Sequence, residues 1–265
     1  MCRWAAYIGN PIFLEEVVSR PNHSLIHQSH QATQAKSAIN ADGFGLVWYD
    51  ARPEPGQFRD VSPAWSDSNL KSIISQVKSG LFMAHVRAST GTATSRNNCH
   101  PFTSKRWSFM HNGQVGGFEH FRRAGDMLIP DEYYGERRGA TDSEALFLVA
   151  LAEGLADDPR GALERSVAKF EALSRVHGRT PHIRMTAAIS DGERLYAVRY
   201  ATDHESPTLY HRWSKSHQGR AVVSEPLEAD EDDWILVPPG TFCTFDGEDV
   251  LMEPFAPEVV VEKAA

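Results

Sequence analysis

The chain has 265 residues, 41% of them hydrophobic, enough for a sizeable core in one large domain or two small ones. Its 27 Lys and Arg against 35 Asp and Glu leave a net charge of -8, which argues against unaided binding to nucleic acid or an anionic membrane surface and favours a small-molecule or protein partner. No eighteen apolar residues run together, and Cys2, Cys99 and Cys243 form no CxxC pair. These features exclude a conventional membrane span, indicate neither a disulfide framework nor a zinc knuckle, and fit a reducing, cytoplasmic setting.

In chain order, CRWAAYIG reads as a strand that stops at the turn signal GNP, with Cys2 at a strand edge rather than in a loose tail. Acidic residues arrive by Glu15, so the start does not read as a signal peptide. Removal of Met1 would leave a thiol and a free α-amine on Cys2, and an amine with a pKa of about 8 accepts a thiol proton near neutrality. Position alone favours the plainer reading, a buried structural cysteine. PIFLEEVVSR reads as one or two helical turns after a proline. His23, His27 and His30 have helical spacing but no acidic residue among them, so no metal site is expected there.

GFGLVWYD reads as a buried strand closed by the ARPEPG loop, and DSNLKSIISQVKSG as a helix through Leu70, Ile73, Ile74 and Val77. LFMAHVRAS is a strand ending at Arg87, whose guanidinium could hold a carboxylate with help from Thr90, although arginines at strand ends commonly just reach solvent. Cys99 and His100 are neighbours, which on a strand point apart, so no catalytic pair is expected from them. RWSFMHNGQVGGF reads as two strands, or a strand and a turn, about Asn112-Gly113. The turn alone explains that pair, but the Asn112 amide and Gly113 N–H could also serve as two donors to an oxyanion.

TDSE opens a helix as a capping box with Thr141 as N-cap; Asp142 suits the helix dipole in any protein and could also meet a substrate ammonium. RGALERSVAKFEALSRVHG is a second helix, amphipathic through Leu163, Val167, Phe170 and Leu173. From Ile183 the pattern turns to strands: the hairpin IRMTAAIS-DG-ERLYAVRY, then TLYHRWS, RAVVSEPL, DWILVPPG and TFCTFDG, with EADEDDW as a solvated acidic loop. No repeat or linker divides the chain, so residues 1–265 are expected to form a single domain.

Taken together and in this order, MC at the start, NADGFG at 40–45, HVRAST at 85–90, HNG at 111–113 and TDSE at 141–144 resemble the class II glutamine amidotransferases, which are N-terminal nucleophile hydrolases. HPF, HNGQV and VVSEPL are similar to the single-domain branch that includes the γ-glutamyl hydrolases of ergothioneine biosynthesis and glutathione degradation. The resemblance implies an α+β fold, a four-layer αββα sandwich of two antiparallel sheets. It implies Cys2 as nucleophile through a thioester, Asn112 and Gly113 as oxyanion hole, Arg87 and Thr90 on the substrate α-carboxylate and Asp142 on its α-ammonium, with no cofactor and no metal. The expected substrate is glutamine or another γ-glutamyl amide. No synthetase or phosphoribosyl domain follows, so either a separate ammonia-using or peptidase partner completes the reaction or the chain simply hydrolyses its substrate. An acylase for another amide, or a non-catalytic regulatory protein on the same scaffold, are the alternatives. Loops at 22–39 and 126–140 are expected to build the amine-side pocket.

Overall fold

The computed structural model describes residues 2–34, 39–89, 91–228 and 233–260. Its first strand, β1 (Arg3–Phe13), already dictates layering. Residues Arg3 to Tyr7 are all buried, and the pleat sends Trp4, Ala6 and Ile8 to one face and Ala5 and Tyr7 to the other. A strand apolar on both faces must be covered on both.

Two short helices, α1 (Glu15–Val18) and α2 (Leu25–His30), lead to β2 (Phe44–Tyr49), β3 (Gly56–Asp60), α3 (Ser68–Gln76) and β4 (Lys78–Val86). Then come β5 (Phe102–Ser104), β6 (Trp107–Val115), α4 (Phe118–Asp126), α5 (Asp131–Tyr134), α6 (Asp142–Ala152) and α7 (Pro159–His177). The last third supplies β7 (Ile183–Ser190), β8 (Leu195–Ala201), β9 (Tyr210–Ser214), β10 (Gly219–Val223), β11 (Ile235–Leu236), β12 (Thr241–Asp246) and β13 (Asp249–Pro254). One sheet runs β11-β9-β10-β1-β4-β2-β3 and the other β13-β12-β8-β7-β6-β5, all pairs antiparallel.

Three buried clusters correspond to the three interfaces of a four-layer αββα sandwich. Val17, Leu25, Leu70 and Ile74 of the first three helices pack on Tyr7, Leu46 and Phe82 of the first sheet. Trp4, Val47 and Met83 meet Met110, Ala188 and Ala197 between the sheets. Leu146, Val167 and Phe170 cover Phe109, Ala187 and Ile189 of the second sheet. Helix α6 is buried at every position from Ser143 to Ala150, as suits a helix apolar all round, whereas α7 buries one stripe.

Several sequence expectations are corrected by partners distant in the chain. Strand β1 is the fourth of seven, so Cys2 precedes a central strand, not an edge. It runs through GNP by a register shift between Ile8 and Ile12, which leaves Pro11 in the strand and α1 a single turn. Asn112-Gly113 is no turn: β6 continues through it, pairing Asn112 with Thr186 and Gly113 with Met185. The tight turn lies one strand end earlier, at Lys105 with φ 51°. DWILVPPG yields only the two residues of β11, and most of the acidic run, residues 229–232, lies outside the described residues. Strands β3 and β13 and helix α4 carried no clear sequence signal; β13 is an edge strand with no buried position. Among the described residues no helix is long and apolar enough to cross a membrane.

Candidate active site

Alternation along the strands explains what gathers at one end of the sandwich. The inward series Trp4, Ala6, Ile8 continues back to Cys2; Met83 and His85 continue forward to Arg87; and Met110 continues to Asn112. The half-buried Cys2 Sγ lies 3.4 Å from the Ala88 N–H and 3.5 Å from the Ala88 carbonyl. Burial pushes its thiol up, against a smaller opposing pull from the Ala88 N–H and nearby Arg87 and Arg3.

Arg87 is 3% exposed and held by its surroundings: it donates to the Asp42 carbonyl at 3.3 Å, to Ser89 Oγ at 3.1 Å and to Thr92 Oγ1 at 2.6 Å. Asp42 in turn accepts the Ser89 N–H at 2.7 Å through Oδ2, and the Arg87 N–H reaches the Gly43 carbonyl at 2.8 Å. The NADGFG stretch therefore forms the cradle of Arg87. Asp42 and Thr92 were not singled out from sequence, although Asp42 sits inside a motif that was. Thr90 lies outside the described residues.

On the second sheet, Asn112 is wholly buried and neither of its side-chain polar atoms has a partner among the described residues. Gly113 has φ 156°, and a Cβ there would collide with the Arg184 carbonyl and come within 2.5 Å of His111 Nε2. Asp142, first residue of α6, accepts from the Val115 N–H through Oδ2 at 2.7 Å and from the Ser143 N–H through Oδ1 at 2.7 Å. Its neighbour Ser143 meets His111 Nδ1 at 2.8 Å. The helix start is fixed by Thr141, whose Oγ1 accepts the Glu144 N–H at 3.2 Å. The Glu144 carboxylate does not reach back as in a full capping box; it binds Arg137 and the N–H groups of Arg138 and Gly139.

A cavity of about 790 Å³ brings these groups together. Cys2, Arg87, Gly113 and Asp142 border it, with Ser143, His111 and His100; Asn112 stands behind this wall rather than in it. Gly117, Phe118, Glu119, Arg122 and Arg179 also border it. Of the expected amine-side loops, 22–39 and 126–140, Ala140 alone among the described residues borders the cavity. Residues 23–34 are instead drawn to buried Glu225, which accepts from Thr33 and the Gln34 N–H, contacts His23 at 2.6 Å and lies 3.5 Å from Arg3 Nε. Burial raises the Glu225 pKa, but these donors outweigh it and hold the carboxyl below its usual range. His23 thus serves Glu225, while His30 packs on Trp65. Cys99 faces the Asp60 and Ser95 carbonyls while His100 packs on His85, so no Cys99–His100 pair forms.

The class-II glutamine amidotransferase family model matches residues 19–210. The probable glutamine amidotransferase DUG3 of Saccharomyces cerevisiae is 31% identical over 99% of this chain and 86% of its own length. The gamma-glutamyl-hercynylcysteine sulfoxide hydrolase of Mycolicibacterium smegmatis is 26% identical over 90% of this chain and 92% of its own. A solved glutamine aminotransferase class-II domain protein from Silicibacter pomeroyi superposes with a TM-score of 0.78, 50% identity and coverage of 97% of this chain and 100% of that one. By fold, motif order and kinship, this chain belongs to the class-II glutamine amidotransferases.

Proposed function

We propose that this chain hydrolyses a γ-glutamyl amide through a thioester on Cys2. The reading is supported by one observation above all: a single cavity is bordered by a thiol, a buried guanidinium, a strand glycine and a helix-start carboxylate, Cys2, Arg87, Gly113 and Asp142. A zwitterionic γ-glutamyl head needs one cation and one anion fixed at one end and a nucleophile at the other. Arg87, with Thr90, takes the α-carboxylate, and Asp142 takes the α-ammonium.

A thiol whose pKa is raised by burial is a poor nucleophile without a base. Removal of Met1 supplies one, the α-amine of Cys2 itself. The amine takes the thiol proton, the thiolate adds to the side-chain carbonyl carbon, and the Asn112 amide and Gly113 N–H hold the oxyanion. As the C–N bond breaks, the ammonium returns its proton to the departing nitrogen. Water, deprotonated by the same amine, then adds to the thioester, and the Cys2 sulfur leaves with glutamate released.

The cavity volume of about 790 Å³ lies high in the range of roughly 300–1,000 Å³ that encloses drug-sized ligands, and is larger than glutamine needs. A γ-glutamyl amide with a substantial amine half fits better, that half lying against Phe118, Arg122 and Arg179. The hydrolase name of the Mycolicibacterium relative supports hydrolysis over ammonia delivery to a partner protein.

The test is glutamate release from glutamine and from γ-glutamyl-cysteine derivatives, run beside intact-mass analysis for loss of Met1. Activity that survives Cys2→Ala defeats the mechanism. A glutamine-analogue diazo-ketone should label Cys2; labelling of Cys99 would reassign the nucleophile.

A further inference from the structure

Ser143 stands between two groups of the cavity wall. Its Oγ lies 2.8 Å from His111 Nδ1 and 3.1 Å from Asp142 Oδ1, while His111 Nε2 lies 3.3 Å from the Arg184 carbonyl. A hydroxyl has one proton to donate, so the two short contacts cannot both be donated by Ser143. With a neutral imidazole carrying its proton on Nε2, that N–H meets the Arg184 carbonyl and Nδ1 accepts the Ser143 hydroxyl. Asp142 Oδ1 then keeps a free lone pair. With an imidazolium, Nδ1–H donates to Ser143 Oγ and the hydroxyl turns to Asp142 Oδ1, occupying it. The remaining tautomer, protonated on Nδ1 alone, points a bare Nε2 at a carbonyl oxygen and is disfavoured.

We propose that the Ser143 hydroxyl toggles between His111 and Asp142, so that a primary ammonium on Asp142 and a proton on His111 compete for Asp142 Oδ1 and disfavour each other. Ser143 and His111 are thereby positioning residues that make α-ammonium recognition depend on a neutral imidazole. This inference rests on the reading of Asp142 as the ammonium partner.

The groups around His111 agree with such a balance. Burial holds its imidazole below the ordinary range, against the opposing pull of Asp142 on α6. His85 on β4 and His100 before β5 share its surroundings, both kept neutral by burial and by the positive charge of Arg87, which follows β4. From β7 it meets the main-chain carbonyl of Arg184, whose side chain turns to Asp203 and Glu205. An ammonium on Asp142 cancels the main influence favouring the imidazolium and expels its proton.

The experiment is titration calorimetry of L-glutamine into the Cys2→Ala chain between pH 5 and 7.5, in buffers of different ionisation enthalpy. Where His111 is protonated, affinity should fall by up to about tenfold per pH unit, with up to one proton released per ligand bound. Glutaramate, which is glutamine without its amino group, should show neither effect. Adding Ser143→Ala should cut the dependence to about threefold per unit or less, and Ser143→Thr, which keeps the hydroxyl, should retain it. An unchanged slope in Ser143→Ala, an equal slope for glutaramate, or pH-independent glutamine binding overturns the toggle. Glutamate release by the unaltered chain alongside any of these results defeats the toggle alone, whereas no release from any γ-glutamyl amide defeats the hydrolase reading.

Discussion

The two sheets supply the cavity with differently supported groups. Cys2 precedes β1 and Arg87 follows β4, so the first sheet presents both from strand ends, where loop contacts to Ala88, Asp42, Ser89 and Thr92 hold them. Asn112 and Gly113 lie inside β6, locked into the ladder opposite Thr186 and Met185, and Asp142 opens a helix buried on all sides. The first-sheet groups are thus held by loop contacts, and the second-sheet groups by a strand ladder and a buried helix.

Substitutions on the first sheet should therefore separate activity from stability, and those on the second should not. The largest effect is expected from Cys2→Ala, which should lower glutamate release by on the order of 10⁴-fold or more with an unchanged urea midpoint. Gly113→Ala should cost both: roughly 10²–10³-fold in kcat through the displaced donor, and about 1–3 kcal/mol in urea unfolding because its Cβ meets the Arg184 carbonyl. Full stability in that variant would break the contrast. Arg87→Gln should raise KM by roughly 10–100-fold while kcat changes little, and Arg87→Lys should not restore it, since a point charge cannot replace a planar fork.

A fourth prediction concerns pH. Burial depresses His85 to about 3, so the native state leaves it neutral while the unfolded chain takes up a proton below about 6.5. The unfolded state then binds more protons, and stability present above pH 6.5 is lost as pH falls from there toward 3, by about 1.4 kcal/mol per pH unit for this imidazole. The slope of unfolding free energy against pH should be shallower in His85→Gln; an identical slope would assign the loss to other groups. The smallest effect is at the cap of α6, where Thr141→Val should cost about 1 kcal/mol in urea unfolding, with a modest rise in KM as Asp142 loosens.

Features set by near neighbours in the chain were legible before any fold was known. Asp191 starts the β7–β8 turn by accepting the Glu193 and Arg194 N–H groups, and Asp67 and Thr141 cap the helices they precede. Each involves contacts within about one helical turn, which spacing and residue type reveal directly. The ordered motifs likewise pointed to Cys2, Arg87, Gly113 and Asp142, four residues that border one cavity. What misled was Asn112-Gly113, whose turn chemistry is overruled by pairing with a strand more than 70 residues away.

Motif order in the chain carried the family resemblance, and through it the layered α+β class; alternation and caps carried the individual strands and helices. Folding alone settled that β1 lies at the centre of its sheet, that NADGFG cradles Arg87, that residues of α4 and Arg179 border the cavity, and that Ser143 joins His111 to Asp142. Local spacing fixes which way a side chain points from its own strand or helix. Which group it meets depends on elements folded against it from far along the chain.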